Sequence, residues 1–336
     1  MIDAAPSPRT ATRLFDRSIC IGTITRGRPE MLKRLLQSYA AMVVPRGVRL
    51  HFVIVENSDV PTLRHIIDAF SRQLPQWHVQ YELEPRLGIA VARNRVLDIA
   101  LASGNQLLTF ADDDEIVEPD WLAHLLAEHD TFGLDLVGSP VRRAPLEGHK
   151  SLWQKIVWNG LDQLNRHAEA KANGRRQKGR GDAVLISTGS WMGDLAFFRR
   201  TKLRFDETLA LCGGEDGGLW GEAKRLGAKS GWCPSAIVYE TVCPERLSLS
   251  YTYRRSRDGT ISTLRTRLKA NPKRVAWRVP GSVVGRLLSL TTSVILIPVS
   301  PGRSLVRAAW YLGSIAGILQ ALMGRQSAHY LQVVGA

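Results

Sequence analysis

Between residues 19 and 110, four short apolar runs alternate with three helical stripes, and the joints between them are short. Ile19-Cys20-Ile21-Gly22-Thr23-Ile24 is apolar and β-branched, which suits a strand buried on both faces. Pro29 stands at a helix-start position, and Met31, Leu32, Leu35, Leu36 and Tyr39 recur at helical spacing. Leu50 to Val55 reads as a second strand, and Leu63, Ile66, Ile67 and Phe70 as the next helical stripe. His78 to Leu83 is a third strand, Ile89 to Leu101 a third helix, and Gln106 to Phe110 a fourth strand that ends in acids. This order predicts an α/β chain with a mostly parallel, doubly wound sheet and ligand sites at the strand C-termini. Fold alone does not choose a chemistry.

The remainder is less regular. Residues 150–170 read as a helix with Leu152, Ile156, Leu161 and Leu164 on one side. Lys171 to Gly181, basic and Gly-rich, reads as a mobile loop that is either solvated or closes over an anion or membrane surface. Two apolar segments follow, Val283 to Val299 and Leu305 to Met323, joined by the turn Ser300-Pro301-Gly302-Arg303. Each is near the short end of the ~20 residues needed to span a bilayer. Each holds an arginine, Arg286 or Arg307, that could snorkel. The formal charge is +14, and twelve Lys or Arg against Asp258 alone lie between Arg254 and Arg307. A basic block beside apolar helices predicts attraction to an anionic leaflet; buried helices covering the main domain are the alternative. The expected organisation is a loose arm over 1–16, a catalytic domain over 17–250 and a basic, apolar helical region over 251–336.

The four cysteines, Cys20, Cys212, Cys233 and Cys243, form no CxxC pair or zinc spacing, and reduced buried thiols are expected. The N-terminus has no apolar signal core, so the main domain is expected on the cytosolic side.

Phe110-Ala111-Asp112-Asp113-Asp114-Glu115 places four acids directly after a strand. Four carboxylates there repel one another unless a cation is present. Mg²⁺ or Mn²⁺ suits oxygen ligands of this kind. A solvated turn is the simpler alternative. A hundred residues on, Gly213-Gly214-Glu215-Asp216-Gly217-Gly218 flanks two acids with glycines before a helical stretch. An acid held there could accept a proton from a hydroxyl nucleophile, or cap the helix.

Taken in order, these segments resemble the family 2 glycosyltransferases over roughly residues 18 to 250. Cys20 to Arg26 resembles the family's first strand. Val55-Glu56-Asn57-Ser58-Asp59 resembles its second, with Glu56 in place of the usual Asp. Arg86 to Asn94 is similar to its N-x-G-x-x-x-A-R-N stretch, Asp112 to Asp114 to its D-x-D motif, Pro119-Asp120-Trp121-Leu122 to the following helix start, and Gly214-Glu215-Asp216 to its G-E-D. Pro244 to Ser248 and Arg254 to Gly259 look like bacterial members that build exopolysaccharide. Glu240 stands where the family often has a His, and the Q-x-x-R-W signature of processive enzymes is missing.

The resemblance implies a GT-A nucleotide-diphospho-sugar transferase fold carrying a C-terminal membrane-associated helical segment. It implies inverting transfer of a single sugar from a nucleotide-sugar donor, UDP before GDP or TDP, to a glycan hydroxyl. By the same resemblance Asp216 is the catalytic base, and Asp114 with Asp112 holds Mg²⁺ or Mn²⁺. Thr23, Thr25, Arg26, Glu56, Arg93, Asp112 and Asp113 bind the donor, and Trp191 and Glu215 line the acceptor side. The apolar hairpin and basic block make the acceptor lipid-linked and place the protein on the cytoplasmic face of the inner membrane. A degenerate module that binds a nucleotide sugar or glycan without turnover is the alternative. A nucleic-acid partner is not expected, because no recognised nucleic-acid motif accompanies the charge. A nucleotidyltransferase would want a Gly-rich, Lys-bearing loop where this chain reads Thr25-Arg26-Gly27-Arg28-Pro29.

Overall fold

The computed structural model describes residues 16–209 and 214–325. Most of the expected N-terminal arm, and Cys212 and Gly213, lie outside the described residues.

The alternation holds: β1 (Arg17–Thr25), α1 (Pro29–Ala40), β2 (Val48–Glu56), α2 (Arg64–Gln73), β3 (His78–Leu83), α3 (Ile89–Ala102) and β4 (Leu107–Phe110) follow in order. The four strands pair in parallel as β3-β2-β1-β4. Because side chains alternate across a strand, both faces of β1 are buried. Ile19 and Ile21 pack with Leu32 and Leu35 of α1 and with Phe52. Cys20 faces the opposite core with Val53, Val96 of α3 and Phe110. This two-sided burial is what a near-continuous apolar strand requires.

Beyond β4 come β5 (Glu115–Val117), α4 (Trp121–Phe132), β6 (Leu136–Gly138), β7 (Val141–Arg143), α5 (Leu152–Gln177), β8 (Trp191–Asp194), α6 (Leu195–Thr201), α7 (Glu215–Arg225), β9 (Ser230–Trp232) and β10 (Val238–Glu240). The main sheet continues as β4-β8-β6-β9; β8 is antiparallel to both of its neighbours. A second sheet, β5-β10-β7, stands beside it.

Lys171 to Gln177 is not loop: α5 runs through it. Ala, Arg and Gln are good helix formers and outweigh one glycine, and the turn is tied down. Arg176 Nε donates to the Trp232 carbonyl at 2.6 Å, and Trp232 Nε1 donates to Asn173 at 2.8 Å.

The described residues continue as three helices: α8 (Leu249–Ala270), α9 (Pro272–Ile295) and α10 (Pro301–Leu322). Of the two apolar segments, only α10 is long and apolar enough to cross a membrane, and 44% of its most apolar window is buried in the protein. It packs through small residues. A Cβ on Gly160 of α5 would sit 2.2 Å from the Gly302 carbonyl oxygen, and one on Gly313 2.2 Å from that of Tyr253 in α8. Arg286 does not reach outward: its Nε donates to Ser314 of α10 at 2.7 Å. On α9, Trp277 is 87% exposed, with Val284, Leu287, Leu288, Val294 and Ile295 exposed as well.

Candidate functional site

A cleft of about 710 Å³ opens at the C-terminal ends of β1 and β4, where the strand order reverses direction. Thr25 and Arg26 end or follow β1, Asp112 to Glu115 follow β4, and Glu215 and Asp216 form the first turn of α7. All of these line the cleft, with Arg28, Arg93, Glu240 and Arg246. Gly214 caps α7 at φ 94°, a left-handed conformation that glycine adopts without strain.

The acids are matched by arginines. Arg93, 3% exposed on α3, donates to Asp112 Oδ1, Glu215 Oε1 and Asp216 Oδ1, each at 2.8 Å. Burial works against its charge, but Asp112, Asp216 and Glu215 outweigh that and hold the guanidinium above its ordinary pKa. Arg28 donates to Asp113 at 2.9 Å and approaches Asp114 at 3.4 Å, while Arg246 donates to Asp114 at 3.1 Å. Thr25 donates to Asp113 at 2.9 Å.

Even so, the cluster remains crowded with negative charge. Asp114 is pushed up to about 7 by burial and by Glu240 and Asp113, against the pull of Arg246. Burial also raises Asp113 and, with Asp112 and Asp114 nearby, Glu115. Glu240 moves the other way: burial disfavours its charge, but Arg143, Arg255 and Arg246 outweigh it. Asp216 Oδ1 also accepts from Thr188, and Oδ2 from Ser187 at 3.3 Å.

Among the described residues no three His, Cys, Asp or Glu side chains are placed to hold a metal ion together. The residues nonetheless fit a hard divalent cation. Such an ion in a nucleotide site takes one or two carboxylates and completes its shell with phosphate oxygens and water. Asp112 and Asp114 present oxygens of this kind to the cleft, and Glu240 and Asp113 add negative charge beside the buried Asp114 carboxyl.

Three expected site residues do not reach the cleft wall. The Glu56 carboxylate is buried and accepts from Thr62 N at 3.1 Å, Leu63 N at 3.2 Å and the Tyr81 hydroxyl, so it organises the segment leading into α2. Thr23 is buried against the Tyr39 hydroxyl at 3.0 Å. Trp191 is 1% exposed and stacks on Phe110 with centroids 5.9 Å apart, so its ring is core and not an acceptor platform. Arg28, Arg246 and Glu240 were not expected in the site. Arg28 follows β1 and Arg246 follows β10 by six residues; only the three-dimensional fold brings them to one carboxylate. Glu240, where the family often has a His, and Arg246, within the Pro244 to Ser248 stretch, carried a sequence signal; Arg28 carried none. Cys20, Cys233 and Cys243 are free and buried, as expected.

A model of glycosyl transferase family 2 matches residues 18–204. The succinoglycan biosynthesis protein ExoM of Rhizobium meliloti is 30% identical over 308 residues, covering 90% of this chain and 93% of that one. Among solved structures, the mannosyltransferase PcManGT from Pyrobaculum calidifontis, in complex with GDP-Man and Mn²⁺, superposes with a TM-score of 0.61 at 16% identity, over 96% of this chain and 91% of the other. TarS 1-349 of S. aureus with UDP-GlcNAc gives 0.50 at 15% identity, over 95% of each chain. The present chain spans 40% of a longer TarS chain.

Proposed function

Because this chain belongs to glycosyl transferase family 2 and has a GT-A fold, we propose that it transfers a single sugar, with inversion, from a nucleotide-sugar donor to a hydroxyl of a lipid-linked glycan in exopolysaccharide synthesis. One observation carries this reading: Asp112, at the head of the acidic run after β4, and Asp216 of α7 line one cleft and are joined by Arg93. That arrangement supports a diphosphate bound on one side and a nucleophile activated on the other.

In this mechanism Asp216 accepts the proton of the acceptor hydroxyl while Arg93, Thr188 and Ser187 orient its carboxylate. The acceptor oxygen forms a bond to the anomeric carbon, and the bond from that carbon to the diphosphate oxygen breaks on the opposite face. Arg28 and Arg246 stand where growing charge on the diphosphate would meet fixed positive charge. Asp114 and Asp112 would hold Mg²⁺ or Mn²⁺, which when bound supplies further charge neutralisation for the leaving group. Thr25, Arg26 and Asp113, which line the cleft, would contact the donor, and Glu215 beside Asp216 would meet the acceptor.

The ExoM likeness supports an exopolysaccharide acceptor, and the UDP-GlcNAc of TarS supports UDP, with GDP kept open by the GDP-Man of PcManGT. The exposed apolar side chains of α9, with the basic residues of the same region, support attachment to the cytoplasmic face of the inner membrane. The test is the thermal midpoint of the full chain against UDP, GDP and TDP, each with and without Mn²⁺. A ligand at a hundred times its dissociation constant stabilises by ~2.7 kcal/mol. A metal-dependent shift with one nucleotide is expected. Absence of any shift in a folded protein overturns the donor assignment, and a shift without sugar transfer on any glycan leaves a binding module.

A further inference from the structure

A second cavity, of about 540 Å³, adjoins the cleft; Arg143, Glu240, Arg246, Tyr251 and Arg255 line both. Its far wall is one face of α10, where Arg303, Val306, Arg307, Trp310 and Tyr311 recur at helical spacing. Five arginines thus line a space with one carboxylate, Glu240, in its wall, and of the five Arg246 also donates to Asp114 of the adjoining cleft. The Glu240 carboxylate is already engaged by Arg143 and lies 3.9 Å from Arg246. Arg307 reaches a neutral hydroxyl, Tyr311 at 3.4 Å. The Nε atoms of Arg143, Arg246 and Arg303 are buried without a hydrogen-bond partner among the described residues.

Guanidinium groups brought together this way repel one another, and a buried N–H without a partner is costly. An anion in the cavity would offset the repulsion and offer acceptors to the guanidinium N–H groups that reach it. The planar fork of arginine matches phosphate oxygens two at a time. The cavity is also apolar on one side: Trp310 lines it and is 45% exposed, and Leu312 and Leu319 of the same helix are exposed beyond it.

We propose that this cavity binds a phosphate or diphosphate ester, namely the phosphate linkage of the acceptor. The acceptor's sugar would then extend through the shared wall toward Asp216, and its lipid would leave along α10. This deepens the reading of the cleft as a glycosyltransferase site and rests on it. The same chemistry is carried by free phosphate compounds and by the head groups of bilayer lipids, so the experiment separates them.

The full chain, in EDTA so that no metal–nucleotide site forms, is titrated with inorganic pyrophosphate, with a short-chain prenyl diphosphate, and with phosphatidylcholine vesicles with and without phosphatidylglycerol. The variants are Arg303→Gln with Arg307→Gln, and Arg303→Lys with Arg307→Lys. The expected result is roughly tenfold or greater weakening of prenyl diphosphate binding in the glutamine pair, partial recovery in the lysine pair, and less than about twofold change toward phosphatidylglycerol vesicles. Metal-dependent nucleotide binding, measured separately, stays intact in both pairs and shows that they are folded. Equal diphosphate binding by wild type and both pairs overturns the proposal. So does a loss confined to phosphatidylglycerol vesicles, which makes the cavity a bilayer contact, or a loss confined to inorganic pyrophosphate. If no nucleotide binds the wild type while the diphosphate results hold, the donor reading fails and the anion site stands.

Discussion

Arg93 Nη1 lies 2.8 Å from Asp216 Oδ1, and the other terminal nitrogen of the same guanidinium lies 2.8 Å from Asp112 Oδ1. One buried cation therefore fixes the distance between the acid proposed as base and the acids proposed to face the donor. Removing one partner of such a buried cluster leaves charges uncompensated. Arg93→Ala is expected to lose about 3 kcal/mol of stability, discounted because Asp112 and Asp216 keep some exposure. Urea denaturation checks this; a loss under about 1 kcal/mol would show that the acids are held by something else.

Asp216→Asn keeps the shape and most hydrogen-bonding partners but cannot take a proton. Turnover is expected to fall by about 10²- to 10⁴-fold, the scale of general-base contributions. Nucleotide affinity should hold within about twofold, since the proposed base acts on the acceptor hydroxyl and not on the nucleotide. Retained turnover would move the base elsewhere.

The raised Asp114 carboxyl gives a pH signature. Its folded pKa, about 7, exceeds the ordinary carboxylate value near 3.9, so its contribution to stability is full below about pH 4 and is lost as pH rises through 7. A bound divalent cation relieves that loss. The thermal shift produced by Mn²⁺ with nucleotide is thus expected to be larger at pH 8 than at pH 6. Glu240→Gln removes one of the charges that raises Asp114 and should move the transition to lower pH. A Mn²⁺ shift that does not vary between pH 6 and 8 would contradict the ligand role.

The exposed face of α9 predicts membrane attachment that can be removed without unfolding. Trp277→Glu with Leu288→Glu, both on exposed positions, should weaken binding to anionic vesicles by roughly tenfold or more and leave the thermal midpoint nearly unchanged. Vesicle sedimentation measures it. Unchanged binding would show that α9 does not meet the bilayer.

The sheet was legible because β1 to β3 are six to nine residues long and stand apart from the helical stripes between them, and the acids after β4 and in the first turn of α7 stand out against glycine and apolar neighbours. Strands β5 to β10 have three or four residues each, too few for any periodicity to register. Polar residues at a strand end gave the right neighbourhood but not the direction of each side chain. Glu56 turns into its own loop, and Trp191 alternates to the core face of β8. Arg28 and Arg246 are 218 positions apart, and nothing local marks them as partners of one carboxylate. The apolar run Leu305 to Met323 reads alike whether lipid or protein covers it; Gly313 and Gly317, pressed against α8, show that protein covers part of it.

The contact between Gly160 and Gly302 leaves no room for slippage, since the two backbones already meet. Helix α5 carries on from Gly160 to Ala172 on the cleft wall, a run of about 18 Å at 1.5 Å per residue. Because α5 is one continuous helix, the seat of α10 at Gly302 and the wall of the cleft at Ala172 are parts of the same rod.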